Sequence, residues 1–272
     1  MTGTLNIDAL AEPRGKLREG LSALRNFGEL SRSLRVGPKA LTSVLPLVAG
    51  GCAPLREAVL TLLAAVAPAF SEAGANLGLA DPLTSRIDRL ERELSTAAGR
   101  PLSARARLSL EQHASELSRE LERVRGLLEL LIEALSARPL RAFVAELVKQ
   151  SVQTLEQRAG QSRIELVVPA PDFEATLRPR VVSALLITAV ELVARQVAAP
   201  LRVELAAQDN GFSVLVRADP PKRAAADDDT SHSTLLCMRS ALELSSGELS
   251  WRPENASLLL EFFGDHAMET HA

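Results

Sequence analysis

The feature that most constrains this chain is a repeat of apolar residues between Ser103 and about Ser136. Apolar side chains recur there in alternating steps of four and three, at positions 110, 114, 117, 121, 124, 128, 131 and 135. Because residues three and four apart share one face of a helix, the repeat predicts a single long helix with a narrow apolar stripe. Only partner helices can bury such a stripe, so the sequence predicts a helical bundle.

Further helices are predicted on the N-terminal side of this repeat. Leucine spacing, capping residues and helix breakers place them over residues 15–33, 39–49, 53–74 and 82–98. A hairpin of 82–98 with the long helix leaves over half of the stripe uncovered. The missing partner is therefore either the helix over 53–74 or a second subunit.

These alternatives decide the expected assembly. Residues 81–138 are interpreted as a helical hairpin and dimerisation region, so an uncovered stripe predicts a homodimer through 103–136. Residues 1–80 form a helical region without an assigned role. They could cap the bundle, bind a partner, or cover the stripe within one chain, which would make the protein monomeric.

After Pro139 the pattern changes to alternating helices and strands. It predicts, in order, a helix, a strand, a second helix, a hairpin, a third helix and a closing hairpin, over 140–161, 163–169, 178–198, 201–218, 234–244 and 247–263. The turn Asp209–Asn210–Gly211 is the strongest hairpin signal. The predicted fold class is α+β, a helical bundle followed by an α/β sandwich over 139–264 and a flexible tail over 265–272.

Composition narrows the classes of function. A formal net charge of -3 without a cluster of Lys or Arg argues against nucleic-acid binding. Cys52 and Cys237 are far apart and match no metal-binding or redox spacing. The N-terminus has no apolar signal core, and the longest apolar stretch, 58–70, is too short to span a bilayer. We therefore expect a cytoplasmic protein without a membrane segment, metal or cofactor.

The order of elements after the long helix resembles that of sensor histidine kinases. "LLIEALSARPLRAFVAELVKQSVQTLEQRAGQSRIELVVPAP" is similar to their run from the second hairpin helix into the first strand of a GHKL (Bergerat-fold) ATPase domain. "GFSVLVRADPP" occupies the place of their strand into the first glycine box, and "LLCMRSALELSSGELSWRPENASLLLEFF" that of their last helix and closing hairpin. The resemblance covers roughly residues 100–263. It implies a helical region for dimerisation and phosphotransfer, followed by an ATPase-like domain.

The residues that would bind nucleotide depart from the family pattern. The buried helix of these kinases carries an asparagine that helps to hold Mg²⁺ and the phosphates, whereas Thr188, Glu191 and Leu192 stand at the facing positions here. Glu191 could act as a general base, as in some relatives, or be an ordinary surface glutamate. The aspartate that reads the adenine amino group falls at Ala218 or Asp219.

The loop "RADPPKRAAADDDTSH", residues 217–232, has no glycine where the family has glycine boxes. Glycines let phosphates approach backbone N–H groups, whereas Pro220 and Pro221 remove two such donors. Three aspartates, 227–229, would face the triphosphate, and each like-charge pair 4 Å apart costs about 4 kcal/mol at an effective dielectric of about 20. The sequence predicts a degenerate nucleotide site and a solvated loop.

His113 is the one histidine whose position fits a chemical role. The resemblance implies for His113 the role of the phosphoacceptor histidine of these kinases. His113 flanks the stripe next to Ala114, where a response regulator could reach it. Glu116 or Glu111 would tune its basicity. His113 is followed by alanine, however, and lies on the second hairpin helix, whereas the family histidine opens the first. His232 is placed in the polar loop, and His266 and His271 in the tail.

Three functions remain from the sequence. The first is a non-catalytic histidine-kinase-like scaffold or regulator that binds a response regulator or another signalling protein. The second is a histidine phosphotransferase that relays phosphate between receiver domains through His113. The third, an active ATPase or kinase, conflicts with the missing asparagine and glycines.

Overall fold

The computed structural model describes residues 8–32, 38–67, 80–98, 103–159, 164–169, 172–197, 199–224, 229–263 and 266–267. The chain forms two compact units, Met1–Leu128 and Glu129–Ala272. The first unit is helical and the second combines helices with two sheets.

The helical unit consists of four helices after a short 3-10 turn at Asp8–Leu10. In chain order they are α1 (Ala11–Arg32), α2 (Pro38–Val66), α3 (Ala80–Ala97) and α4 (Ala104–Ser136). The end of α4, from residue 129 onward, belongs to the second unit. Ser103 caps α4, because its Oγ accepts a hydrogen bond from the Ala106 N–H at 3.2 Å. The predicted start and end of the long helix are thus confirmed.

The four helices pack antiparallel, each against the next. Leu55 of α2 lies against Gly20 of α1, where an added Cβ would come within 2.8 Å of its Cδ1. Three ion pairs join the remaining neighbours, Arg56–Asp88 between α2 and α3, Arg86–Glu120 between α3 and α4, and Arg32–Glu111 between α1 and α4. Successive contacts run in opposite directions along the helices, with Arg25–Glu122 followed by Arg32–Glu111 between α1 and α4, and Arg86–Glu120 followed by Glu93–His113 between α3 and α4. Both α1 and α3 are therefore antiparallel to α4.

The apolar stripe of α4 is buried within a single chain. Leu121 and Ala114 are 0% exposed, and the other members from Leu110 to Leu131 are at most 4% exposed. Leucines of the other helices complete this core, among them Leu21, Leu45, Leu62, Leu83 and Leu90. From Leu110 to Leu128 the stripe therefore needs no second subunit to bury it, because helices of the same chain surround it, whereas Leu135 is only partly buried. The homodimer itself stays a prediction. Of the three roles left open for residues 1–80, covering the stripe is the one observed.

Helix α2 corrects another prediction. Two helices were expected on either side of Gly50 and Gly51, but one helix runs through both and ends at Val66. Pro54 lies inside it and removes the N–H that would bond the Gly50 carbonyl. Because Gly50 is exposed, water can bond that carbonyl, so the proline does not break the helix.

The second unit contains a five-stranded and a three-stranded sheet. Its strands are β1 (Leu140–Phe143), β2 (Ile164–Val167), β3 (Glu174–Leu177), β4 (Leu201–Gln208), β5 (Gly211–Ala218), β6 (Gly247–Arg252), β7 (Ser257–Phe263) and β8 (His266–Ala267). The larger sheet has the order β2-β4-β5-β7-β6, and the smaller one β1-β3-β8. Among the described strands, β2 and β4 are the one pair that runs parallel.

Three helices accompany these sheets, α5 (Val144–Ala159), α6 (Pro179–Gln196) and α7 (Asp229–Glu243). The buried face of the large sheet carries residues such as Val203, Val214 and Leu260, each 0% exposed. Helix α6 is buried over most of its circumference, as its sequence predicted. The α+β class, with a helical region followed by an α/β sandwich on a mixed sheet, is confirmed.

Several local predictions in this unit need correction. The first four residues of the helix expected over 140–161 form β1, which pairs with β3, a strand that was not predicted. Helix α7 begins at Asp229 rather than near Thr234, so His232 lies in a helix and not in the loop. Two residues of the expected tail, His266 and Ala267, pair with β3.

Two polar side chains fasten helix ends in this unit. Asp172 caps α5 from a distant segment, because its carboxylate accepts hydrogen bonds from the backbone N–H groups of Ala145 and Glu146 at 2.8 and 3.2 Å. Arg178 donates from one nitrogen to the carbonyls of Ala134 and Leu244 at 2.8 and 2.5 Å. Both carbonyls lie at or next to a helix C-terminus, where a cation is favoured by the helix dipole.

Candidate functional site

His113 lies on α4 at the side that faces α3, and both of its ring nitrogens have partners there. Its Nδ1 is 2.6 Å from Oε2 of Glu93, and its Nε2 is 3.2 Å from Nη2 of Arg89. The His113 side chain is 23% exposed and that of Glu93 31% exposed. The three residues form a small, partly exposed ionisable cluster, called here the His113 cluster.

The chemistry of the partners fixes the tautomer of the neutral imidazole. A guanidinium can only donate hydrogen bonds, so the Nε2 of His113 must accept the one from Arg89. The proton then lies on Nδ1 and is donated to Glu93. The cluster thus leaves the lone pair of His113 on Nε2, the nitrogen nearer to the arginine.

Glu93 is held in its ionised form. Burial opposes its ionisation, but hydrogen bonds from His113 and Arg89 and their charges outweigh burial and lower the pKa of Glu93. Arg89 donates to the second carboxylate oxygen at 3.0 Å. An ionised Glu93 stabilises positive charge on the imidazole, so the cluster can support a step in which Nε2 becomes bonded to an electrophile.

The acids expected to tune His113 have other partners. Glu116 accepts a hydrogen bond from Gln112 at 2.9 Å, and Glu111 pairs with Arg32 of α1. The acid beside the ring is Glu93, which the sequence reasoning missed. The sequence signal was too coarse to find it, because a hairpin centred between 98 and 103 sets Glu93 opposite residue 108, more than one helical turn from His113.

The positions expected to face a nucleotide lie on α6. The hydroxyl of Thr188 donates to the backbone carbonyl of Ala184 at 2.8 Å, and Leu192 is 2% exposed. Glu191 is half exposed and lies 3.6 Å from Arg195 one turn later on the same helix. Thr188 and Glu191 thus interact within their own helix, and Leu192 belongs to the core.

The loop after β5 is described only in part, since residues 225–228, among them Asp227 and Asp228, lie outside the described residues. Ala218 is 0% exposed, and the backbone N–H of Asp219 donates to the carbonyl of Pro200 at 2.9 Å. Farther along, Gln196 at the end of α6 donates to the hydroxyl of Ser231 in α7 at 2.7 Å. This bond fastens the first turn of α7 to α6.

Metal and thiol chemistry find little support among the residues that the structure describes. No group of three or more His, Cys, Asp or Glu residues there could hold a metal ion. Cys52 and Cys237 are free and buried. Burial, followed by the charges of Glu91 and Asp88, raises the pKa of the Cys52 thiol to about 11, which keeps it protonated and unreactive at neutral pH.

One stretch of the described residues, Ser43–Val66 in α2, is long and apolar enough to cross a bilayer by length and composition. No apolar stretch of this length was expected from the sequence, because the helix was divided at Gly50 and Gly51. In its most apolar window 39% is buried inside the protein. Core helices of soluble proteins meet the same criterion.

Solved structures to which the chain is similar include several histidine kinases. With the Acinetobacter baumannii histidine kinase AdeS it shares 15% identity at a TM-score of 0.48, over 68% of this chain and 98% of that one. With full-length ShkA in complex with AMPPNP the values are 15% and 0.47, over 78% of this chain and 47% of that one. With the ATP-binding domain of PrrB from Mycobacterium tuberculosis they are 12% and 0.37, over 47% and 98%.

No family model and no curated protein matches the sequence. Histidine kinases and their ATP-binding domains are nevertheless the kind of protein that the sequence resemblance predicted. At these identities and TM-scores the likeness concerns architecture alone. The function of this chain has to follow from its own residues.

Proposed function

We propose that this chain is a histidine-kinase-like signalling protein that acts by binding other proteins and does not hydrolyse ATP. The observation that supports this proposal is how two side chains of α6 are used. Leu192 is buried in the core, and the hydroxyl of Thr188 is bonded to its own helix, at the positions where the resemblance places the groups that hold Mg²⁺ and phosphates. Neither side chain offers a ligand for a metal–nucleotide complex.

The sequence of the following loop supports the same conclusion. Pro220 and Pro221 cannot donate backbone hydrogen bonds to a phosphate, and no glycine lies between residues 217 and 232. A protein with this architecture and without nucleotide chemistry would act through its surfaces. We propose a response regulator or another signalling protein as the partner.

Calorimetric titration of the full chain with ATP and Mg²⁺ tests the proposal. The expected result is no heat of binding up to millimolar nucleotide, while an ATP-binding histidine kinase domain measured in parallel gives a clear isotherm. Binding in the micromolar range, or release of inorganic phosphate above the rate of a buffer blank, would contradict it.

Phosphotransfer through His113 is the second candidate function, and the Glu93–His113 contact of 2.6 Å favours it. In such a transfer Arg89 first releases Nε2, and the Nε2 lone pair then attacks the phosphorus of a receiver's aspartyl phosphate. An N–P bond forms, the acyl O–P bond breaks, and the aspartate leaves as a carboxylate. Glu93 stabilises the charge that develops on the imidazole, and Arg89 lies where it can neutralise phosphoryl oxygens.

Transfer from a phosphorylated receiver domain distinguishes the two candidates. If His113 is the acceptor, phosphate moves to this chain, His113→Ala abolishes transfer, and Glu93→Gln slows it by about 100-fold because the ring loses its carboxylate partner. Glu116→Gln is the matched control and should leave the rate unchanged, since Glu116 interacts with Gln112. No phosphate on any histidine would leave binding as the function.

A further inference from the structure

The three side chains of the His113 cluster bond to one another in a closed ring. Nδ1–H of His113 donates to Oε2 of Glu93 at 2.6 Å, and Nε–H of Arg89 donates to the other carboxylate oxygen at 3.0 Å. Nη2–H of Arg89 closes the ring by donating to Nε2 of His113 at 3.2 Å. The ring therefore occupies the one lone pair through which the neutral imidazole can act as a nucleophile.

Arg89 is the most exposed member of this ring. Its side chain is 61% exposed, about twice as much as that of Glu93. The ring uses two of the five N–H donors that a guanidinium carries. An anion that arrives from solvent can therefore reach the guanidinium of Arg89 without any movement of the core.

The other two arginines of α3 bond elsewhere. Arg86 pairs with Glu120 of α4, and Arg92 donates to the backbone carbonyl of Asp88 in its own helix at 3.2 Å. Arg89 is thus the arginine of α3 that contacts the imidazole. The blocking of Nε2 follows from the position of this one side chain and not from the general charge of the helix.

We propose that Arg89 is a gate on His113, which keeps Nε2 blocked at rest and releases it when a phosphoryl anion draws the guanidinium away. The inference rests on the phosphotransfer through His113 that was given above as the second candidate function, and it adds how that site is regulated. The gating step transfers no atom. The hydrogen bond from Nη2–H to Nε2 breaks, and a hydrogen bond from Nη2–H to a phosphoryl oxygen forms.

Electrostatics give the direction of this exchange. In the contact with the imidazole nitrogen only the donor is charged, whereas in a contact with a phosphoryl oxygen both partners are charged, and such hydrogen bonds are shorter and stronger. The planar guanidinium can also offer two parallel N–H groups to a phosphoryl group, while the imidazole accepts only one. A neutral electrophile provides neither gain, so it leaves the gate closed.

Glu93 holds the other two members of the ring while the gate opens. Its two carboxylate oxygens contact Nε of Arg89 and Nδ1 of His113, and neither contact involves Nη2. Although burial opposes ionisation, the hydrogen bonds and charges of His113 and Arg89 lower the pKa of Glu93, so the carboxylate is ionised at neutral pH. The guanidinium can therefore turn about its Nε contact while the imidazole keeps its proton on Nδ1.

Carbethoxylation by diethyl pyrocarbonate measures the blocking directly, because this neutral reagent acylates the free lone pair of an imidazole. Mass spectrometry of the tryptic peptide 108–119, whose one histidine is His113, gives the rate, and the exposed His232 is the internal reference. Arg89→Met should raise the rate at His113 at least about 5-fold, the factor that one typical hydrogen bond contributes. Arg92→Met is the matched control and should leave it unchanged. Rates are compared at about pH 8, where free imidazole, with a pKa of about 6.5, is neutral.

Inorganic phosphate is the probe for the opening of the gate. At about 100 mM, with the ionic strength held constant by NaCl so that screening is equal, it should raise the wild-type carbethoxylation rate at His113 toward that of Arg89→Met. The rate of the Arg89→Met chain should not respond to phosphate. Far-ultraviolet circular dichroism confirms that the variants remain folded.

Transfer from a phosphorylated receiver domain should change in the opposite direction. Arg89→Met should slow it by about 10-fold, because the phosphoryl oxygens lose their cation. Arg89→Lys keeps the charge without the planar fork and should recover most of the rate. A residue with a purely structural role would not raise one rate and lower the other.

Three results would overturn the gate. The first is a carbethoxylation rate at His113 that Arg89→Met leaves unchanged, and the second is a wild-type rate that does not respond to phosphate. The third is faster phosphotransfer in Arg89→Met, which would make Arg89 an inhibitor that no phosphoryl group displaces. Absence of transfer in the wild type and in every variant would instead remove phosphotransfer as the function, and the two carbethoxylation measurements would then decide the gate alone.

Discussion

The His113 cluster and the expected nucleotide helix use their polar side chains in opposite ways. In the helical unit His113 reaches across to α3 and interacts with an acid and a base there. In the second unit Thr188 and Glu191 interact only within α6. A side chain that reaches another element is held in a defined direction, whereas Thr188 uses its hydroxyl within its own helix. The comparison supports our proposal that phosphotransfer, if it is the function, uses His113 on α4 and not a residue of α6.

The largest expected effect comes from an attempt to restore the asparagine. Leu192→Asn places an amide in the core at a 2% exposed position and should destabilise the chain by about 3 kcal/mol. It should also fail to confer binding of Mg-ATP. Calorimetric unfolding measures the first effect and titration the second. Glu191→Asn, half exposed, is the control and should stay within about 0.5 kcal/mol. A stable Leu192→Asn chain that binds ATP would reverse the comparison.

The next effect tests an exception within the second unit, since Arg178 does reach other elements. Arg178→Met removes two charge-assisted hydrogen bonds to the carbonyls of Ala134 and Leu244 and should cost about 2 kcal/mol in urea unfolding. Arg180→Met removes an arginine whose side chain is 82% exposed and whose nearest acidic oxygen is 3.6 Å away. Its cost should be below about 0.5 kcal/mol. Equal costs would show that the two bonds of Arg178 contribute nothing.

Glu93→Gln should lower stability by about 1 kcal/mol at pH 7 and remove the pH dependence that Glu93 contributes. Because its pKa is lowered in the folded protein, its stabilisation is fully present above the unfolded value of about 4.3 and is lost as the pH falls through the folded pKa. The free energies of unfolding of wild type and variant should therefore converge as the pH falls below about 4. A difference that persists at pH 3 would exclude the ionic contact as its source.

The smallest effect concerns an exposed ion pair between the same two helices. Arg86→Ala removes the pair with Glu120 and should cost at most about 0.5 kcal/mol, because Arg86 is 55% exposed and solvent screens the pair. The effect should vanish in 1 M NaCl. A cost as large as that of Glu93→Gln would mean that burial does not distinguish the two contacts.

The elements that could be predicted from sequence carry local signals strong enough to decide their structure. α4 combines a long repeat with the Ser103 cap, and the hairpin of β4 and β5 has its Asp-Asn-Gly turn. Helix α2 was divided because Gly50 and Gly51 usually end helices, yet packing against α1 and α3 outweighs that preference. The residues of β1 were predicted to begin helix α5, because no local signal separates them from it. Only their pairing with β3 shows that they form a strand.

The candidate site could be predicted only in part, for a related reason. His113 and the positions on α6 follow from the sequence, because each is defined by its place along one helix. The partners of His113 depend on how two helices align. An error of one helical turn replaces Glu93 by another residue, and a prediction restricted to the same helix selects Glu116. Side-chain contacts between separate elements could not be predicted from the sequence.

The closure of the bundle within one polypeptide has a consequence for how its surface can change. In a bundle built from two identical chains every substitution occurs twice, so both copies of a groove change together. Here the four helices differ in sequence, so a substitution in α3 or α4 occurs once in the bundle and leaves α1 and α2 unchanged. The stability of the bundle is also independent of protein concentration, because no second chain has to arrive for its core to form. Each molecule therefore carries one His113 cluster, on which selection can act without changing a second copy of it.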